Sequence, residues 1–77
     1  MLTQKGRQQK LNEIVTFLRE KGGKAKFKEV FSHLFSKYTV SLTAFRSYLD
    51  DLKLAGKIEQ SVFVIGQEAE SIITLKS

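Results

Sequence analysis

The hydrophobic period of this chain switches once, at Gly56, and that switch limits what it can fold into. Before Gly56 the apolar residues recur at helical spacing: Leu11, Ile14, Val15 and Leu18, then Val30, Phe31, Leu34 and Phe35, then Phe45, Leu49 and Leu52. After it, Lys57-Ile58-Glu59 leads into Ser61-Val62-Phe63-Val64-Ile65, and Ile72-Ile73-Thr74-Leu75 follows a polar stretch from Gly66 to Ser71. Spacing near 3.6 makes one face of a helix apolar, whereas β-branched and aromatic runs favour strands. The residues therefore predict three helices and then a hairpin whose loop is 66–71.

Local signals sharpen the boundaries. The first helix is expected to begin near Thr3 or Gln4 and to stop at Gly22-Gly23, with Lys21 suiting the negative end of its dipole. Phe17 lies about 100° from the centre of its apolar stripe, where it either covers a flank of the core or meets another subunit. Lys24-Ala25-Lys26-Phe27 alternates like a short strand. The second helix is expected to end near Lys37-Tyr38. After the brief Thr39-Val40 link, Ser41 is a good N-cap for a third helix, which runs to about Ala55 and ends at Gly56. The order is helix, short strand, helix, helix, strand, strand: an α+β chain forming one domain over residues 1–77.

Composition narrows the function classes. A chain of 77 residues buries only about 60% of its unfolded surface, leaving a small core. It has no cysteine, which excludes disulfides and thiolate metal sites and fits a reducing compartment. No apolar run approaches the roughly 20 residues of a membrane span, and MLTQKGRQQK lacks the apolar centre of a secretory signal, so a cytoplasmic protein is expected. Thirteen Lys and Arg against eight Asp and Glu give a net +5 and a pI near 9.7. The excess is concentrated: residues 1–28 hold eight basic and two acidic side chains, whereas residues 57–77 hold two and three. A small domain with one basic end has the charge profile of a polyanion binder.

The element order resembles the winged helix–turn–helix fold over nearly the whole chain. The local pattern matches as well: Val40-Ser41-Leu42-Thr43-Ala44-Phe45, then Leu49, Leu52 and Ala55-Gly56-Lys57-Ile58. Among winged helices the length and the KGGKAKFKE and LDDLKLAGKIE segments look most like the very small DNA-binding regulators of crenarchaeal viruses and plasmids. That resemblance implies a sequence-specific double-stranded DNA-binding regulator whose third helix, Ser41–Ala55, lies in the major groove and reads bases with its N-terminal residues. The runner-up is a winged-helix protein–protein interaction module without specific DNA binding.

On that pattern Thr43 and Ser47 would bond to bases or phosphates, Ala44 would meet a thymine methyl, and Arg46 would reach guanine or a phosphate. Ser41 either caps the helix alone or also meets the backbone. Leu42 meets a thymine methyl, completes the core or buries against a second subunit, and the residues leave all three open. Thr43, Ala44, Ser47 and Asp51 are expected to point outward. Asp50 and Asp51 are expected to face solvent or to pair with Lys53 and Lys57.

Lys26 and Lys28, at the start of the second helix, are the preferred phosphate contacts, and Tyr38 and Tyr48 carry the two phenols within reach of one. Lys5, Arg7 and Lys10 form either a second contact or a solvated end. The wing loop, with Glu68 and Glu70 and no cation, argues against minor-groove insertion and for pairing with the basic end of a neighbouring subunit. A homodimer is expected at least on DNA, with Phe17, Leu2 and the N-terminal turn as contacts.

Phe27, Phe31, Phe35, Phe45 and Phe63 fall at core periods. His33 is the single histidine and is expected to be a polar surface residue. With no second imidazole, no thiol, no nucleophile–histidine pair and no glycine-rich phosphate loop, neither a metal site, a cofactor, a small-molecule ligand nor an enzyme is expected.

Overall fold

The computed structural model describes residues 2–76, with side chains from Gly6 onward. The chain runs α1 (Leu2–Glu20), β1 (Lys24–Lys26), α2 (Phe27–Tyr38), α3 (Leu42–Leu54), β2 (Ile58–Ile65) and β3 (Glu68–Leu75). The three strands form one antiparallel sheet in the order β1-β3-β2. This is the three-helix, three-strand α+β arrangement of a winged helix, in the element order the hydrophobic periods predict. The Leu2 and Lys5 side chains, expected at a subunit contact and in the basic cluster, lie outside the described residues.

One cluster forms the core. Ile14 and Leu18 of α1, Val30 and Leu34 of α2, and Phe45, Leu49 and Leu52 of α3 meet Ala25, Ile58 and Ile73 of the sheet. The pleat assigns Ala25, Ile73 and Ile58 to the inner sheet face, because β1 aligns Ala25 with Ile73 and alternate residues share a face. Phe45 is fully buried, with the Phe27 ring 5.0 Å away edge-on and the Phe31 ring at 5.2 Å. It joins α3 to the start of α2.

Turn chemistry sets the chain reversals. At the end of α3, Lys57 N–H donates to Leu52 C=O at 2.9 Å and Gly56 N–H to Lys53 C=O at 3.0 Å. Gly56 takes φ = 73°, a left-handed value that costs glycine least. The same pair of bonds closes α1, from Gly23 to Leu18 and from Gly22 to Arg19. The α2–α3 turn differs, because its left-handed residue is Thr39 at φ = 54°. A β-branched side chain is strained there, and buried Val40 beside it anchors the turn. Thr39→Asn is therefore expected to raise stability by about 0.5–1 kcal/mol, measurable as a higher urea midpoint at unchanged slope.

Four expectations are corrected by packing. Phe35 is 49% exposed, since it lies past the Val30–Leu34 line of α2. Tyr48 is buried, so the inward arc of α3 reaches farther around than Phe45, Leu49 and Leu52 imply. Consequently Ala44 is half-buried against the core and Asp51 is half-buried, and the outward residues of α3 become Leu42, Thr43, Arg46, Ser47, Asp50, Lys53 and Leu54. Residues 68–71 are not loop: Ile65 pairs with Glu68, and Gly66-Gln67 alone makes the turn, with glycine at φ = 64° as a two-residue hairpin requires. Phe63, finally, is 54% exposed rather than core.

Candidate nucleic-acid interface

Ser41 starts α3 as expected: its backbone is extended, and Ala44 N–H donates to its Oγ at 3.1 Å. Val40 and Phe45 flank this cap as the two buried positions of a hydrophobic staple, fixing the angle at which α3 leaves the turn. The helix then presents Leu42, Thr43, Arg46 and Ser47 to solvent. Leu42 is 43% exposed, which removes core completion from its three alternatives. Arg46 forms no ion pair among the described residues.

Two clefts join the outward side of α3 to the basic start of α2. The larger, about 410 Å³, lies between α3 and the wing and is lined by Arg46, Asp50, Lys53, Gln60 and Val62. The smaller, about 210 Å³, is lined by Lys26, Lys28, Ala69 and Glu70. Phe27 and Ser71 line both, so Arg46 and Lys28 border one continuous surface. Arg46 and Lys53 border the first cleft and Lys26 and Lys28 the second, and the two clefts meet at Phe27 and Ser71.

The charges there are not equivalent. Lys28 is exposed and makes no ion pair among the described residues. Lys26 Nζ lies 3.3 Å from Glu70, and its backbone N–H donates to the Glu29 carboxylate at 3.0 Å. Glu70, expected to pair with a neighbouring subunit, therefore holds a cation of its own chain. Asp50 sits 3.6 Å from Lys53, as expected.

Asp51 instead pairs with Arg7 of α1. Arg7 Nε donates to Asp51 Oδ2 at 2.9 Å, a second guanidinium nitrogen donates to the Ser47 Oγ at 3.1 Å, and the guanidinium lies 4.8 Å from the Tyr48 ring centre. Arg7 therefore neutralises the acidic flank of α3 and occupies one of its hydroxyls. The sequence carries no local signal for this contact, because Arg7 and Asp51 are 44 residues apart. Tyr48, placed beneath that guanidinium and 8% exposed, offers no free phenol face to a ligand.

The back of the domain carries a separate polar clamp. His33 Nε2 donates to the Glu13 carboxylate at 2.7 Å, Lys37 Nζ donates to its other oxygen at 3.3 Å, and Phe17 stacks on His33 with ring centres 4.4 Å apart. His33 is thus a half-buried tie between α1 and α2 rather than a free surface residue. Phe17 covers the core flank. The His33 hydrogen bond and then Lys37 hold the Glu13 carboxyl below its ordinary value, against the opposing pull of burial.

A depressed folded pKa stabilises the fold above the unfolded carboxylate value, and the contribution disappears as pH falls through the folded value. Stability should therefore fall on acidification below about pH 4.5, and Glu13→Gln should flatten that slope while lowering stability at neutral pH by about 1 kcal/mol. Urea titrations of both proteins at several pH values check this; equal slopes would contradict it.

Among the described residues, no helix is long and apolar enough to cross a membrane, and no three His, Asp or Glu side chains gather as metal ligands. Comparison with protein-family models, curated proteins and solved structures gave no match.

Proposed function

We propose that this protein binds double-stranded DNA sequence-specifically as a transcriptional regulator, in the manner of the small winged-helix regulators its sequence resembles. The observation that carries this is Arg46: exposed, without an ion-pair partner among the described residues, on the open side of α3 and continuous with Lys28. Thr43 and Arg46 supply groups that match base edges, Ser47 keeps its own O–H to donate while its Oγ accepts from Arg7, Leu42 supplies an apolar contact for a thymine methyl, and Ser41 stands at the backbone. Lys28 is the principal phosphate contact; Lys26 contributes once Glu70 yields it. Ala44, turned toward the core, supports the helix rather than meeting a base. Tyr48 supports the surface from within. Two copies on adjacent half-sites extend a contact that one small domain keeps modest.

Selection from random duplex DNA, followed by binding at two salt concentrations, tests this directly. A recovered consensus with strong salt dependence supports it, and uniform binding or none overturns it. Lys28→Ala should weaken binding to all duplexes alike and reduce the log–log salt slope by about 0.9. An unchanged slope removes Lys28 from the contact set.

A second reading, the protein-interaction module, is favoured by one observation: Val62, Phe63, Val64 and Ile65 are all more than half exposed on the wing. That reading expects no salt-dependent duplex affinity, so the same titration separates the two.

A further inference from the structure

The outer half of the wing carries apolar surface that the described residues leave uncovered. β1 reaches only Ile72, Ile73 and Thr74 of β3, so the base of the wing is three-stranded and the remainder, 62–65 against 68–71, is a two-stranded ribbon. The inner sheet face runs Ile58, Gln60, Val62 and Val64 along β2, because alternate residues share a face. Ile58 is 2% exposed beneath the helices, but Val62 is 64% and Val64 73% exposed beyond them. The core stripe therefore overhangs the body. Phe63 at 54% and Ile65 at 69% add apolar surface to the opposite face, beside Glu70 and Glu68. A two-stranded ribbon with exposed apolar side chains on both faces is poorly stable in water alone.

The two edges of the sheet are unlike. β1, at one edge, is three residues long and carries Lys24 and Lys26, which discourage a further strand. β2, at the other, is eight residues long in unbroken register with β3, without proline, lysine or bulge. Apart from Glu59 near its base, none of the usual devices blunts it. Its outer row of backbone N–H and C=O groups is unpaired by any strand among the described residues.

We infer that the free edge of β2 is a self-association site, where a second copy of this chain pairs antiparallel through Val62–Ile65 to continue the sheet. Three observations select a second copy over other occupants. The segment Ser61–Ile65 has no charge, and an antiparallel pairing centred on Phe63 sets Val62 against Val64 and Ser61 against Ile65. Glu59 then faces Gln67, so a symmetric contact opposes no like charges. The exposed side chains of Val62–Ile65 would stand beside those of the second copy on both faces of the continued sheet, as cross-strand apolar pairs. Glu68 and Glu70 alternate on β3 beside Phe63 and Ile65, which disfavours phosphate or an anionic lipid surface as the occupant.

The inference shares with the DNA-binding proposal only the expectation of two copies. It is tested without DNA, so its failure leaves the α3 assignment standing. Sedimentation equilibrium of the full chain from micromolar to submillimolar concentration should show twice the 8.8 kDa protomer mass. Phe63→Lys and Val64→Lys, both beyond the cover of the body, should return the mass to one protomer while circular dichroism retains the helices. Leu54→Lys, at an apolar position exposed on α3, should leave the dimer intact.

Amide exchange of the wild type supplies a readout independent of any variant. The outward N–H groups of Val62–Ile65 should become protected as concentration rises. Four results overturn the inference: a monomer throughout, a dimer that survives both wing lysines, open-ended polymers, or wing amides unprotected at every concentration. The last assigns the overhang to a partner of different sequence.

Discussion

Phe45→Ala is expected to leave this domain at the edge of unfolding. Truncating a fully buried phenylalanine costs about 3–5 kcal/mol, while a chain of this length has roughly 4–12 kcal/mol in all. The upper part of the cost range is expected here for a geometric reason. The Phe45 ring is enclosed by Phe27 and Phe31 of α2 as well as by its own helix, so no single neighbour can move into the void. Loss of the ring also frees Phe27, which borders both the cleft beside α3 and the cleft at the start of α2. The midpoint of thermal unfolding should drop by more than about 15 °C, read by circular dichroism. A loss below about 1 kcal/mol would mean that the helices are not organised around this residue.

Arg46→Ala carries the second large effect, on recognition rather than on folding. The side chain is exposed and has no ion pair among the described residues, so its removal should barely alter stability. If Arg46 makes a bidentate guanine contact, its loss lowers discrimination between the selected site and a substituted one by about 1–3 kcal/mol, roughly 5- to 150-fold. Lysine offers a point charge in place of the planar fork, so Arg46→Lys should restore affinity for duplexes generally without restoring discrimination. Equal affinity of Arg46→Ala and wild type for the selected site would withdraw this role from Arg46.

The helices and their order were legible in the sequence because each is defined by short-range signals. Apolar spacing marks the buried faces, Ser41 marks a start, and Gly22 and Gly56 mark the stops. What escaped depends on groups distant in the chain. Tyr48 and Ala44 turned inward because α1 crosses α3 on that side, bringing Arg7 onto Asp51. Thr39 was unremarkable as a residue type, and only the tightness of the turn forces its left-handed backbone.

The wing did carry a signal. Ser61-Val62-Phe63-Val64-Ile65 lacks the polar alternation of a strand with one wet face, the pattern of a strand covered on both sides. Among the described residues no segment supplies the second cover. For the candidate site, the basic start of α2 and the hydroxyls of α3 were visible as residue types. The engagement of Lys26 by Glu70 and of Ser47 by Arg7 was not, since each depends on packing between separate elements.

Titration of isotope-labelled protein with its selected duplex measures the decisive point, whether α3 meets the DNA. The largest amide shifts should fall on Leu42, Thr43, Arg46 and Ser47, with smaller ones at Lys28. Silence along α3, with the response confined to the wing or to the α1–α2 face, would contradict the account.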